Sequence, residues 1–321
     1  MKPKTRSLRL CAFFLTILLL SGCLAGCGSG KARGDRPYVV ATNFAVFDIA
    51  RQVAGDSAEV EMLLPPETES HGYEATLADA AKIARADLFV YVGGESEDWA
   101  ADLLGSMREE DRPSTLAALE CCSAYAEEKG EKILEQQEGE EHGEEEEPDE
   151  HVWTSFENIR AIARGVAGSL NEIDPEGTAE VEASLAAYLE KISALEAEYA
   201  AFFASTDKRF IAVADRFPFR YLAEEWDLDY VAAFSGCSSN VEASLATVNA
   251  LVDAVKTHHL PAVLIIEFSD GRCASAVSRE TGCAVLTLES GHNVTRGDFD
   301  SGVTLLDLMA RNLGTLKTAL G

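Results

Sequence analysis

The sequence predicts an α/β protein of two parallel-sheet βα lobes joined by one long helix. Three observations predict it. Short apolar runs alternate with amphipathic stretches from "YVVAT" at 38–42 to "AVLTLE" at 284–289. The alternation is broken by one long amphipathic stretch after Pro175. At 321 residues with 47% apolar and 8% aromatic content, the chain can bury the core that two lobes require.

Residues 1–27 read as a lipoprotein signal. "MKPKTRSLRL" is a positive n-region, and "CAFFLTILLLSG" is an apolar run too short to span a bilayer. Both "LSGC" and "LAGC" carry the Leu-small-Gly-Cys pattern, so Cys23 or Cys27 is the lipidated residue. The following "GSGKARGDRP", residues 28–37, is a polar tether.

The first lobe, 38–173, opens with the strand "YVVAT", the helix "FDIARQVAG" closed by Gly55, and the strand "VEMLLPP" ended by two prolines. "TLADAAKIARA" is the next helix, and "DLFVYVGG" is apolar enough for a sheet covered on both faces. "ESEDWAADLLGSM" is a helix that opens on acids, as its macrodipole favours. Residues 126–150 have almost no apolar periodicity and read as a flexible polyanionic loop. Helix resumes in "FENIRAIARGVAGSLNEID".

The linking helix, 174–206, carries Val181, Leu185, Tyr188, Leu189, Ile192, Leu195, Tyr199 and Phe202 at steps of three and four. These form one apolar stripe over roughly thirty residues, about 45 Å of helix. The second lobe, 207–321, repeats the pattern through "RFIAVA", "YVAAF", "PAVLIIE" and "AVLTLE" and ends on the helix "GVTLLDLMARNLGTLKTAL".

Charge narrows the partners. Asp and Glu number 55 against 27 Lys and Arg, and four of the basic residues lie in the first nine positions. Such a surface repels phosphate backbones and attracts divalent cations, so nucleic acid is excluded as a partner. Beyond the tether, Cys121, Cys122, Cys237, Cys273 and Cys283 lack the CxxC spacing of a zinc knuckle and read as structural thiols or an ordinary disulfide. His258 and His259 end a helix, where a partly positive imidazole suits the dipole. No GxSxG, GxxxxGK[ST] or HExxH motif occurs, so no catalytic constellation is marked and the chain reads as a non-enzyme.

Two motifs carry a family resemblance. "LLPPETESHGYEATLADAAKIARADLFVYVGGESEDW" and "DEHVWTSFENIRAIARGVAGSLNEIDPE" resemble the two signatures of the zinc- and manganese-specific solute-binding proteins of ABC importers, the cluster A-I type. That family also carries a His- and acid-rich insertion before the second signature, where this chain has its acidic run.

The resemblance implies a metal held in the interlobe cleft by a His from each first-lobe signature, a His or Glu after the first strand of the second lobe, and an Asp near the last strand. His71 and His151 match the first two positions, and neutral imidazoles at strand ends suit a borderline divalent cation. At the third position "FIAVADRFPFRYLAEEWDL" puts Arg216, which cannot ligate, in the ligand place. Its neighbour Asp215 is then the third ligand, or else an N-cap or a partner of Arg216. At the fourth, "LTLESGHN" offers Glu289, with His292 as the alternative. Glu267 faces the strand-end crevice as a hydrogen-bond partner of a ligand histidine, with Arg216 also behind the ligands. His142, inside the acidic run, is a solvated residue or an auxiliary collector of divalent ions.

The function so implied is a monomeric, extracytoplasmic receptor, lipid-anchored to the cell membrane, that captures Zn2+, or alternatively Mn2+, as cargo for an ABC permease. Two histidines with two carboxylates lean toward manganese; His292 in place of a carboxylate, and the acidic run, lean toward zinc. Two further readings of the same fold are a receptor for a chelated or organic anion clamped by Arg216 and a surface adhesin. A metallohydrolase would need an open coordination position and a general base, neither of which is marked.

Overall fold

Successive residues of a strand face opposite sides of a sheet, and that parity sets the layers here. In the computed structural model, which describes residues 36–69, 72–127, 132–135, 147–238 and 242–321, strand β1 (Tyr38–Ala41) sends Val39 and Ala41 into one apolar cluster and Tyr38 and Val40 into another. It lies beside β2 (Glu59–Met62) and β3 (Leu88–Tyr91), with β4 (Ser114–Ala117) on the far side of β3. The sheet order is β2-β1-β3-β4, and every pair is parallel.

The second sheet is built from β5 (Ile133–Glu135), β6 (Phe210–Phe217), β7 (Asp229–Ser235), β8 (Ala262–Ile265) and β9 (Ala284–Thr287). Its order is β5-β7-β6-β8-β9, again parallel throughout. The alternation recurs, since Ile211 and Val213 join the central cluster while Ala212 and Ala214 face an outer one.

Parallel neighbours need crossovers, and helices supply most of them. In chain order these are α1 (Phe44–Ala54), α2 (Leu77–Ile83), α3 (Asp98–Ser106), α4 (Phe156–Ile173), α5 (Thr178–Ala204), α6 (Arg220–Glu225), α7 (Leu245–Thr257), α8 (Arg272–Thr281), α9 (Arg296–Ser301) and α10 (Leu305–Leu320). Caps fix their starts: the Asn43 side chain accepts the Val46 N–H, and Thr76 with Asp79 forms a capping box on α2. None of the described helices is long and apolar enough to cross a membrane.

The long helix α5 has 27 residues, about 40 Å. Its buried stripe ends on Phe203 rather than Phe202, which is only partly buried. The stripe lies in the cluster that also holds Val39, Trp153, Val213 and Leu305, so the two sheets share a single core. Residues 36–321 accordingly form one compact unit.

Polar ties reinforce that union. Fully buried Asp48 on α1 accepts the Leu305 N–H at the start of α10, and Arg51 donates to the Val303 carbonyl. On α5, the Tyr199 hydroxyl donates to the Met309 carbonyl at 2.6 Å. Gly55 closes α1 at φ +53°, and a Cβ there would come within 2.6 Å of the Ser184 hydroxyl of α5.

One sequence expectation needs correction, and of the two cysteine readings the free-thiol one holds among the described residues. The acidic run 126–150 is not wholly irregular, since Ile133–Glu135 pairs with β7 as the outermost strand of the second sheet, and Glu135 accepts from Ser244 and Thr247 at the start of α7. Ala126 bridges Pro148, closing a narrow neck before His151. The described cysteines are all free thiols, so no disulfide forms among them. Residues Cys23, Cys27, His71 and His142 lie outside the described residues.

Candidate metal site

His151 begins the short 3₁₀ turn Val152–Thr154 that leads into α4, and its side chain is entirely buried. Burial of an imidazole requires a partner, and Asp149 provides it: Oδ1 accepts both the His151 backbone N–H (2.9 Å) and ring Nδ1–H (2.8 Å). An ionised carboxylate only accepts, which places the ring proton on Nδ1 and a lone pair on Nε2. Burial by itself lowers the His151 pKa, but the charge and hydrogen bond of Asp149, together with the charges of Glu150 and Glu127, outweigh it and the net shift is upward. The Asp149 backbone is held too, since its carbonyl accepts the Tyr221 hydroxyl at 2.6 Å.

The second ring is His292. It follows β9 and stands edge-to-face with His151, centroids 4.7 Å apart at 84°, and with Trp153 at 5.1 Å and 83°. Trp153 is locked in the core by donation from Nε1 to the Ser290 carbonyl at 2.8 Å. The Ser290 hydroxyl meets His292 Nδ1 at 2.7 Å and donates to Glu267 Oε1, while the Ser290 N–H donates to Glu267 Oε2 at 2.6 Å. The His292 carbonyl accepts the Phe44 N–H at the start of α1, so this ring sits on a joint between the two sheets.

The walls are acidic. A small pocket is lined in part by Thr42, Tyr73, Glu97, Glu150, Trp153 and His292. Glu97 accepts the N–H groups of Val92 and Gly93, and burial pushes its carboxyl up to about 7. Glu150 is bound by the backbone N–H and hydroxyl of Ser96, and burial raises its pKa as well. Burial likewise lifts Glu267 to about 7.

Among the described residues no three His, Cys, Asp or Glu side chains gather as a ligand set, so His151 and His292 form a pair there. Asp215 is not brought to that pair. It is buried, its Oδ1 accepts the Arg216 N–H at 2.8 Å, and it lies near Ser269, the Ile266 backbone and Cys273, with burial raising its pKa. Glu289 is also held elsewhere. Its N–H and carbonyl are gripped by the Asn312 amide, and burial raises its carboxyl pKa while nearby Arg311 on α10 pulls it back. Arg216 pairs with Glu69 across the sheets at 2.9 and 3.2 Å. Glu267 reaches His292 through the Ser290 hydroxyl.

Asp149, Ser290 and Gly236 are the participants that sequence reasoning missed. The first two sit two residues before a histidine, in "DEH" and "SGH", a spacing visible in the chain but mute without the fold. Gly236 follows β7 with no room for a side chain: a Cβ there would lie 2.7 Å from His151 Cε1 and 3.1 Å from the Phe217 carbonyl. Because the added methyl would press on the Cε1–Nδ1 edge that Asp149 holds, Gly236→Ala should displace His151. Calorimetric titration should show zinc affinity lowered by ~10-fold or more with both histidines present.

Two parallel α/β sheets about one core, with paired imidazoles where strands of both lobes end, define a two-lobed binding protein of the strand-end crevice type. Residues 39–319 match the family described as ZnuA, zinc-uptake complex component A, periplasmic, and the chain belongs to that family. It is 31% identical over 314 residues to the zinc-binding lipoprotein AdcA of Streptococcus pneumoniae, matching 94% of this chain but 60% of that protein's length. It is 27% identical over 301 residues to the high-affinity zinc uptake system protein ZnuA of Bacillus subtilis, covering 91% of this chain and 90% of that one. The Zn(II)-bound ZnuA-like domain of S. pneumoniae AdcA superposes with a TM-score of 0.71 at 29% identity, over 89% of this chain and 99% of the domain. The metal-dependent lipoprotein YcdH of B. subtilis gives a TM-score of 0.75 at 24% identity, over 89% of this chain and 100% of that one, a likeness of fold.

Proposed function

We propose that the chain captures Zn2+ between its two lobes and delivers it to an ABC import permease. The observation that carries this reading is the pair of imidazoles 4.7 Å apart, one fully buried with Nδ1 held by Asp149, at the strand ends. Neutral imidazole nitrogens are borderline donors that suit zinc, with Zn–N bonds of about 2.0–2.1 Å, better than hard cations. A zinc-binding name on the relative at 31% identity and a zinc-uptake name on that at 27% support the same cargo.

His151 and His292 serve as two ligands, His71 of the first signature completes the set as a third, and water or a carboxylate closes it. Mn2+, which prefers more oxygen, binds more weakly to such a set. The signal 1–27, lipidated at Cys23 or Cys27, anchors the protein as a monomer outside the membrane, and 28–37 gives it reach. His142 and the glutamates of 136–146 collect ions near the cleft without belonging to the tight site.

Titration of chelator-stripped residues 36–321 tests this. One tight zinc site above a weak multi-ion phase is expected, with manganese weaker by ~10-fold or more. Removing residues 136–146, which spares β5 and the neck at Pro148, should abolish the weak phase and leave the tight one. Loss of the tight phase, or tighter manganese binding, would refute the reading.

A further inference from the structure

We propose that Ser290 and Glu267 act as a relay that fixes the tautomer of His292 and so sets which ring nitrogen is offered to the metal. The inference rests on the functional reading above for His292 as a ligand. A serine hydroxyl has one hydrogen to give and two lone pairs to fill. At Ser290 all three are committed. The hydrogen goes to Glu267 Oε1, whose partner oxygen Oε2 takes the Ser290 N–H at 2.6 Å. What remains on Oγ is acceptor capacity, and two groups use it: the His292 backbone N–H at 3.3 Å and ring Nδ1 at 2.7 Å. Nδ1 must then carry the proton. The lone pair of His292 falls on Nε2, the nitrogen remote from the relay.

The same device appears undisguised at the other histidine. Asp149, also two residues before its histidine, accepts both the backbone N–H and Nδ1–H of His151 through one oxygen. In both cases an acceptor at position i−2 holds ring and backbone together. Asp149 supplies the carboxylate directly, whereas Ser290, 2% exposed at a sheet junction, borrows that of Glu267 from the neighbouring strand end. Such hydrogen bonds behind a metal-ligating histidine fix its tautomer and raise its basicity. The arrangement ties β8 and β9 to the metal through one hydroxyl, which makes Ser290 a positioning residue and not a ligand.

The test is tautomer-sensitive 15N NMR of the histidine side chains in metal-free residues 36–321 at pH 8, where the Glu267 carboxyl is ionised, together with zinc affinity. The parent should show His292 as the Nδ1–H form. Ser290→Ala should give mixed tautomers and zinc affinity weaker by ~10- to 100-fold, with His151 unchanged. The double variant Ser290→Asp with Glu267→Gln rebuilds the direct arrangement of Asp149 and His151, and should restore the Nδ1–H form and bring affinity back to within about threefold. An Nε2–H ring in the parent, a pure Nδ1–H ring in Ser290→Ala, or a folded double variant no better than Ser290→Ala would overturn the relay. Failure of the metal reading is separately visible: His292→Ala would then bind zinc like the parent, whatever the tautomer.

Discussion

His292→Ala is expected to weaken zinc binding by about 10²- to 10³-fold and to leave the metal-free protein within about 1 kcal/mol of parental stability. The size follows from sharing the ~10–16 kcal/mol of a four-ligand zinc site among its ligands. The small stability cost follows from position, since the ring is half-buried at the cleft and its loop is held by other bonds. Asn293 donates to the Pro65 and Thr68 carbonyls, and the His292 carbonyl keeps the Phe44 N–H. His151→Ala should match it in lost affinity but not in stability. That ring is fully buried against Asp149, and its removal strips a buried carboxylate of one partner, costing about 1–3 kcal/mol. Calorimetric titration and thermal melts of the two variants check the contrast. Equal stability losses would mean that the two rings share one environment.

Trp153→Ala carries the other large effect. The indole is 2% exposed, donates to the Ser290 carbonyl, and packs against both imidazoles with centroids 5.6 Å from His151 and 5.1 Å from His292. Truncation should cost about 3–5 kcal/mol through transfer and cavity terms, which lowers the melting temperature by on the order of 10 °C. Zinc affinity should fall as well, because neither histidine keeps its wall. Trp153→Phe should recover most of the packing but leave the buried Ser290 carbonyl without the Nε1 donor, a residual loss of about 1–3 kcal/mol. A Trp153→Ala protein with parental melting and binding would remove the indole from the account.

The parts of the fold that were legible in sequence are those with a clear period. "YVVAT", "DLFVYVGG" and "PAVLIIE" are continuous apolar runs because their strands are covered on both faces, and the α5 stripe shows because one side of that helix meets the shared core. Strand β4 was missed because "STLA" is polar and exposed at its first half. Strand β5 was missed because three residues inside a glutamate run carry no period, and only the free edge of β7 makes them a strand.

The site divides in the same way. His151 was readable because ordered, apolar sequence starts at "HVW". Which of Glu289 and His292 stands beside His151 was not readable, because it turns on tertiary contacts. Asn312 and Arg311 arrive from α10, 22 to 23 residues later, and hold Glu289, leaving His292 to meet His151. Asp215 and Arg216 are adjacent at the register shift in β6, so no spacing argument could settle that Asp215 lies near Ser269 while Arg216 crosses to Glu69.

The central claim is that one zinc ion is held jointly by His151 and His292. Anomalous diffraction at the zinc edge from zinc-loaded crystals of residues 36–321 tests it most directly. The account predicts a single strong peak bonded to Nε2 of both rings at about 2.0–2.1 Å, with the Nδ1 contacts to Asp149 and Ser290 retained. A peak elsewhere, or one bonded to only one of these two histidines, would contradict it.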